Sequence, residues 1–144
     1  MCHLCINKSM IPQKLNYLLK KVKTIAIVGA SSNPQRDSYK VMEFLIDHGY
    51  KVFPVNPNES NRMILNQKCH SNLHDIKEKI DMVDVFRSSK YVFDITKEAV
   101  SINAAILWTQ EGVVDDNAAD YAKKEGLIVI MDECPKKILE KSFK

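Results

Sequence analysis

Short apolar runs alternate along the chain with longer stretches in which apolar residues return every three or four positions, the repeat of one helix face. Thr24 to Val28, Lys51 to Val55, Met82 to Phe86, Ala104 to Trp108 and Leu127 to Met131 read as buried strands. Between them, Val41, Phe44 and Leu45 mark one side of a helix from Ser38 to His48, with Glu43 and Asp47 opposite and Gly49 as its terminator. Val92, Ile95, Ala99 and Ile102 mark another. The helix from Asp115 to Glu125 has acids at its start, Lys123 and Lys124 at its end and Gly126 beyond, an order that complements the helix dipole. A leading helix opens at Pro12 and carries Leu15, Leu18, Leu19 and Val22, and a short final one follows Pro135 with Ile138 and Leu139. Leu73, Ile76 and Ile80 predict a further short helix capped by Ser71 or Asn72, and Met63 to Leu65 a small extra strand.

Strands separated by helices need crossover connections, so the pattern predicts a parallel sheet covered on both faces. The expected class is α/β, doubly wound, with three layers and a mainly parallel sheet of five or six strands. At 144 residues one core suffices, for a domain of this size buries roughly 70% of its unfolded surface without a metal or disulfide. Residues 1–10 read as a variable, flexible start and residues 11–144 as a single domain.

Composition narrows the function. A formal net charge of +3 is too small to argue for a nucleic-acid partner. No apolar run nears the roughly 20 residues of a membrane span, and the first ten residues lack the long apolar stretch of a secretion signal. The protein is expected to be cytoplasmic, with its four cysteines as reduced thiols.

Ligands of such sheets bind beyond the strand C-termini. The candidates are therefore Gly29 to Ser38, Asn56 to Asn58, Phe86 to Ser88 and Thr109 to Val113. Ile25-Ala-Ile-Val-Gly29 feeding Ala30-Ser-Ser-Asn-Pro34 and then a helix is a strand, turn and helix start suited to a diphosphate. The loop is not GxGxxG, because Gly29 is its only glycine. A dinucleotide site usually sets an acid at the end of its second strand, but here that strand ends Pro54-Val-Asn-Pro57, with Glu59 farther on. Arg36, Lys40 and Arg62 suit a phosphorylated ribose better than a free diol, which leaves coenzyme A or, less well, NADP.

Ile25 to Ser31, Asn33-Pro34, Asp37-Ser-Tyr39, His48 to Val52, Pro54 to Pro57, Val83-Asp-Val-Phe-Arg87, Leu107-Trp108, Gln110, Gly112-Val113, Met131-Asp132 and Cys134-Pro135 together resemble the stand-alone CoA-binding domain family. That family is similar to the nucleotide-binding domain of the succinyl-CoA synthetase alpha subunit. The resemblance implies a Rossmann-like fold and non-covalent binding of coenzyme A or an acyl-CoA. It implies that Gly29, Ala30, Ser31, Ser32, Asn33 and Ser38 hold the pyrophosphate, with Arg36 and Lys40 as nearby cations. Val55, Asn56 and Pro57 would border the nucleotide, Phe86, Arg87 and Ser88 would form the opposite wall, and Trp108, Gln110 and Gly112 would lie toward the pantetheine arm. Family members often carry a second basic residue after Asn-Pro, where this chain has Asn58 and Glu59. The synthetase's phosphohistidine belongs to a separate domain, which this chain is expected to lack, so ligase chemistry is not carried over and no catalytic centre is expected. The alternatives are a small NADP-binding redox protein, or a CoA-binding subunit of a multi-chain acyl-CoA ligase. The expected partners are the CoA ligand and either a second copy or a ligase chain.

Three other readings arise from single residues. Cys134 is a candidate for a mixed disulfide with the cofactor thiol, if it is exposed and its thiolate stabilised. Cys2, His3 and Cys5 could join Cys69, His70 or His74 around zinc, though their spacing is not finger-like. His48 reads as a partner of its helix dipole, and Trp108 as either a core residue or a ligand platform. Replacing Gly29 with valine is expected to crowd the approach of phosphate to the backbone.

Overall fold

The computed structural model of the protein describes residues 11–141. The central sheet comprises β1 (Thr24–Val28), β2 (Lys51–Val55), β5 (Met82–Val85), β6 (Ile106–Thr109) and β7 (Ile128–Ile130). All pairs are parallel, in the order β2-β1-β5-β6-β7, while β3 (Met63–Ile64) and β4 (Gln67–Lys68) form a separate antiparallel hairpin. The fold is the expected Rossmann-like α/β sandwich with a five-stranded sheet.

Alternate strand residues supply the two cores, because successive side chains of a strand point to opposite faces. Ile25, Ile27, Met82, Trp108 and Ile130 pack with Leu15 and Leu19 of α1 (Ile11–Lys21), Met42 and Leu45 of α2 (Asp37–Asp47), and Ile138 and Leu139 of α5 (Pro135–Lys141). Ala26, Val28, Val83, Val85, Leu107 and Val129 pack on the other face against Val92, Ile95 and Ala99 of α3 (Val92–Ser101) and Ala118 and Ala122 of α4 (Asp116–Lys124). Asp115 caps α4, its carboxylate accepting the Ala118 N–H at 3.0 Å.

The predicted helix across Leu73 to Ile80 is absent. Only a 3-10 turn, Leu73–Asp75, forms there, with Asn72 as its cap and Ile76 already extended. The segment beyond is clipped to the start of β1 instead: Thr24 Oγ1 donates to Lys79 O at 2.8 Å, and Asp81 accepts the Lys23 and Thr24 N–H groups. An eight-residue helix has too few internal bonds to compete with that anchoring. β6 also begins later than its apolar run, because Ala104 N–H still closes the end of α3 on Ala99 O, after Asn103 at φ +62. His48 Nδ1 lies 2.9 Å from Phe44 O, at the C-terminal end of α2 as expected.

No helix among the described residues is long and apolar enough to cross a membrane. Cys2, His3 and Cys5 lie outside the described residues. Among those described, no three His, Cys, Asp or Glu side chains are placed to hold a metal.

Candidate functional site

The chain runs outward from β1 to β2 and then crosses back to β5, so the loops after β1 and β5 diverge and leave a crevice at the strand C-termini. A hollow of about 800 Å³ fills it. Its floor is Gly29 to Asn33, its far side the first turn of α2, and its walls Asn56 to Arg62 on one side and Phe86 and Arg87 on the other. Two smaller hollows of about 250 Å³ continue the line. One lies over Ser88, Gln110 and Val113, the next over Lys40, Gln110 and Cys134, and each shares Asp37 with its neighbour. The three make a trough across the sheet's C-terminal edge, polar at its large end.

Most loop amides are already engaged. Gly29 and Ala30 N–H both donate to Val55 O, at 2.9 and 3.3 Å, and so stitch β1's turn to β2. Asn33 N–H donates to Ser31 Oγ, Gln35 N–H to Asn33 Oδ1 and Arg36 N–H to Asn33 O. Among the described residues, the N–H groups of Ser31, Asp37 and Ser38 carry no such bond, and the latter two open α2. Any anion the loop holds therefore meets Ser31 and the helix start, not the Gly29 amide.

Gly29 has another task. With φ at +93, a Cβ built there would stand 2.9 Å from Phe86 O. The glycine lets the β1 and β5 loops touch, so the crowding that valine would cause falls on Phe86 and not on a bound phosphate. Asn56 ties the same loop to the segment after β2 instead, its Nδ2 donating to Ala30 O at 2.8 Å and its Oδ1 accepting from Asn58 N–H.

Of the residues named from sequence, Gly29, Ala30, Ser31, Ser32, Asn33, Arg36, Ser38, Asn56, Phe86 and Arg87 line the main hollow. Ser88, Gln110 and Lys40 line its continuation. Val55 is buried and meets the loop through its carbonyl. Trp108 is wholly buried in the core, with Nε1 donating to Glu133 O at 2.9 Å, and borders none of the hollows. Gly112 N–H is tied to Asp132 Oδ1, and neither Gly112 nor Pro57 borders the hollows. Gln35, Asp37 and Asn58, which lie within the candidate loops but had no individual role in the sequence reading, line the main hollow as well. Sequence reasoning placed Glu59 too far away. The 3-10 turn Pro57–Glu59 folds that carboxylate back onto the loop, where Oε2 accepts Ser32 N–H at 2.8 Å and Oε1 accepts Ser32 Oγ–H at 2.7 Å. These bonds, together with the Arg62 charge, hold the Glu59 carboxyl below its usual range.

The family model described as a CoA binding domain matches residues 23–140. The chain belongs to this CoA-binding domain family. It is 37% identical over 123 residues to the uncharacterized protein YneT of Bacillus subtilis, covering 85% of this chain and 90% of that one. It is 30% identical over 122 residues to the alpha subunit of the ADP-forming acetate–CoA ligase I of Pyrococcus furiosus, across 75% of this chain and only 26% of the subunit. A hypothetical protein from Pyrococcus horikoshii has the same architecture, with a TM-score of 0.87 and 33% identity over 92% of each chain. The relation to ADP-forming acetate–CoA ligases thus concerns a part of those larger proteins.

Cys134, at the far end of the trough, is buried, and burial raises its thiol above the ordinary range although the Lys137 and Lys136 N–H groups pull the other way. The two conditions for a mixed disulfide, exposure and a stabilised thiolate, are not met.

Proposed function

We propose that this CoA-binding domain binds coenzyme A or an acyl-CoA non-covalently, diphosphate at Ser31 and the start of α2, pantetheine along the trough toward Gln110. The observation that carries this reading is the trough itself, a large polar hollow continued by two narrower ones past the N-terminus of α2. A compact nucleotide would need only the first. Arg36 and Arg87 add positive charge beside the free amides. The likeness to a ligase alpha subunit supports a further role as the CoA site of an assembly with another chain.

Calorimetry against CoA, acetyl-CoA, NADP and NAD tests the proposal. One equivalent of CoA or acetyl-CoA should bind, and more tightly than either dinucleotide. Tighter binding of NADP, or no heat with either thiol carrier, overturns it.

A further inference from the structure

Glu59 stands in the hollow as a fixed negative charge. Both of its oxygens are hydrogen-bonded to Ser32, and its side chain is only 14% exposed. Arg62, the cation beside it at 3.6 Å, also lines the hollow but is 68% exposed. The wall that carries Glu59 follows β2, which is where a nucleotide in a doubly wound sheet places its adenosine ribose and where a carboxylate serves the ribose hydroxyls.

We propose that Glu59 is a specificity residue that makes the site favour an adenosine diphosphate group with an unsubstituted ribose over one bearing a ribose phosphate. The inference rests on the coenzyme reading given above and refines it: the diphosphate and pantetheine are gripped, and the 3′-phosphate is not. A phosphate monoester near pH 7 carries between one and two negative charges, and at this wall it meets an ionised carboxylate locked in place. Arg62 offers less than its formal charge in return. It is already paired to the same carboxylate, and ordering its long exposed side chain on a ligand costs rotamer entropy. A free diol, in contrast, donates to the carboxylate and removes no bond that the loop needs. Ser32 N–H and Oγ–H are satisfied by Glu59 itself, so the loop has no call on the phosphate there.

The test is titration of the full chain with 3′-dephospho-CoA and with CoA, in the wild type and in Glu59→Gln and Glu59→Ala. The wild type should bind the dephospho form at least about tenfold more tightly, the scale of a like-charge contact at a protein surface. Both substitutions should shrink that ratio at least about fivefold, chiefly by tightening CoA, and raising the salt should shrink it in the wild type alone. A wild-type ratio of one or less, or a ratio unchanged in both variants, overturns the role of Glu59 while leaving the coenzyme site intact. Failure of the wild type to bind either compound overturns the coenzyme reading itself, and this inference with it.

Discussion

Asp84 is a fully buried carboxyl group in the middle of the sheet, in register with Ile27 on one side and Trp108 on the other. Oδ1 accepts from Gln110 Nε2 at 2.8 Å, and Oδ2 has no partner among the described residues. Burial pushes its pKa up to about 8, against the opposing pull of the Gln110 bond, so at neutral pH the acid is held largely as its neutral form. An unfolded aspartate titrates near 4. Between those values the folded chain keeps a proton that the unfolded chain has released, so this group's contribution to stability is complete below about pH 4, declines as pH rises, and levels off above about 8. Asp84→Asn should remove that decline, a slope of about 1.4 kcal/mol per pH unit at its steepest, and should be more stable than the wild type at pH 8. Urea unfolding from pH 5 to 8 measures both, and parallel profiles for the two proteins would contradict the assignment. The aspartate was visible in the sequence as one polar position in an apolar strand. Its burial was not, because a strand residue's surroundings come from helices distant in the chain.

At the scale of elements, the turn from β1 into α2 depends on a contact that lies outside it. Gly29 has positive φ and no room for a Cβ beside Phe86, whereas Gly49, after α2, has positive φ and nothing within 4 Å. Gly49→Ala should cost about 1–2 kcal/mol for backbone conformation alone. Gly29→Ala should cost about 3 kcal/mol or more, since backbone strain and a clash with the β5 loop add together. Denaturant midpoints compare the two, and equal losses would show that the loops separate freely. Helices with a clear apolar face and end signals, such as α2 and α4, were legible from sequence because those signals are local. The segment after Asn72 was misread for the opposite reason. Its apolar spacing fits a helix, but Lys79 and Asp81 at its end are tied to Thr24, on a strand far earlier in the chain.

For the whole molecule, parallel pairing places β1 and β5 at the centre, with helices over both faces, and leaves the β3–β4 hairpin outside the main sheet. Hydrogen exchange should therefore be slowest in β1, β5 and β6 and much faster at Met63 to Lys68, where only two residues pair on each strand. Protection of the hairpin equal to that of β1 would mean that it belongs to the same cooperative unit. Sequence by itself determined the alternation of strands and helices, the α/β class and the loops that border the trough, since hydrophobic period and turn chemistry are written locally. Only the tertiary structure decided which loop amides remain free, that Trp108 is core, and that Glu59 reaches Ser32. Each of these depends on what a distant segment brings alongside, and no spacing along the chain encodes that distance.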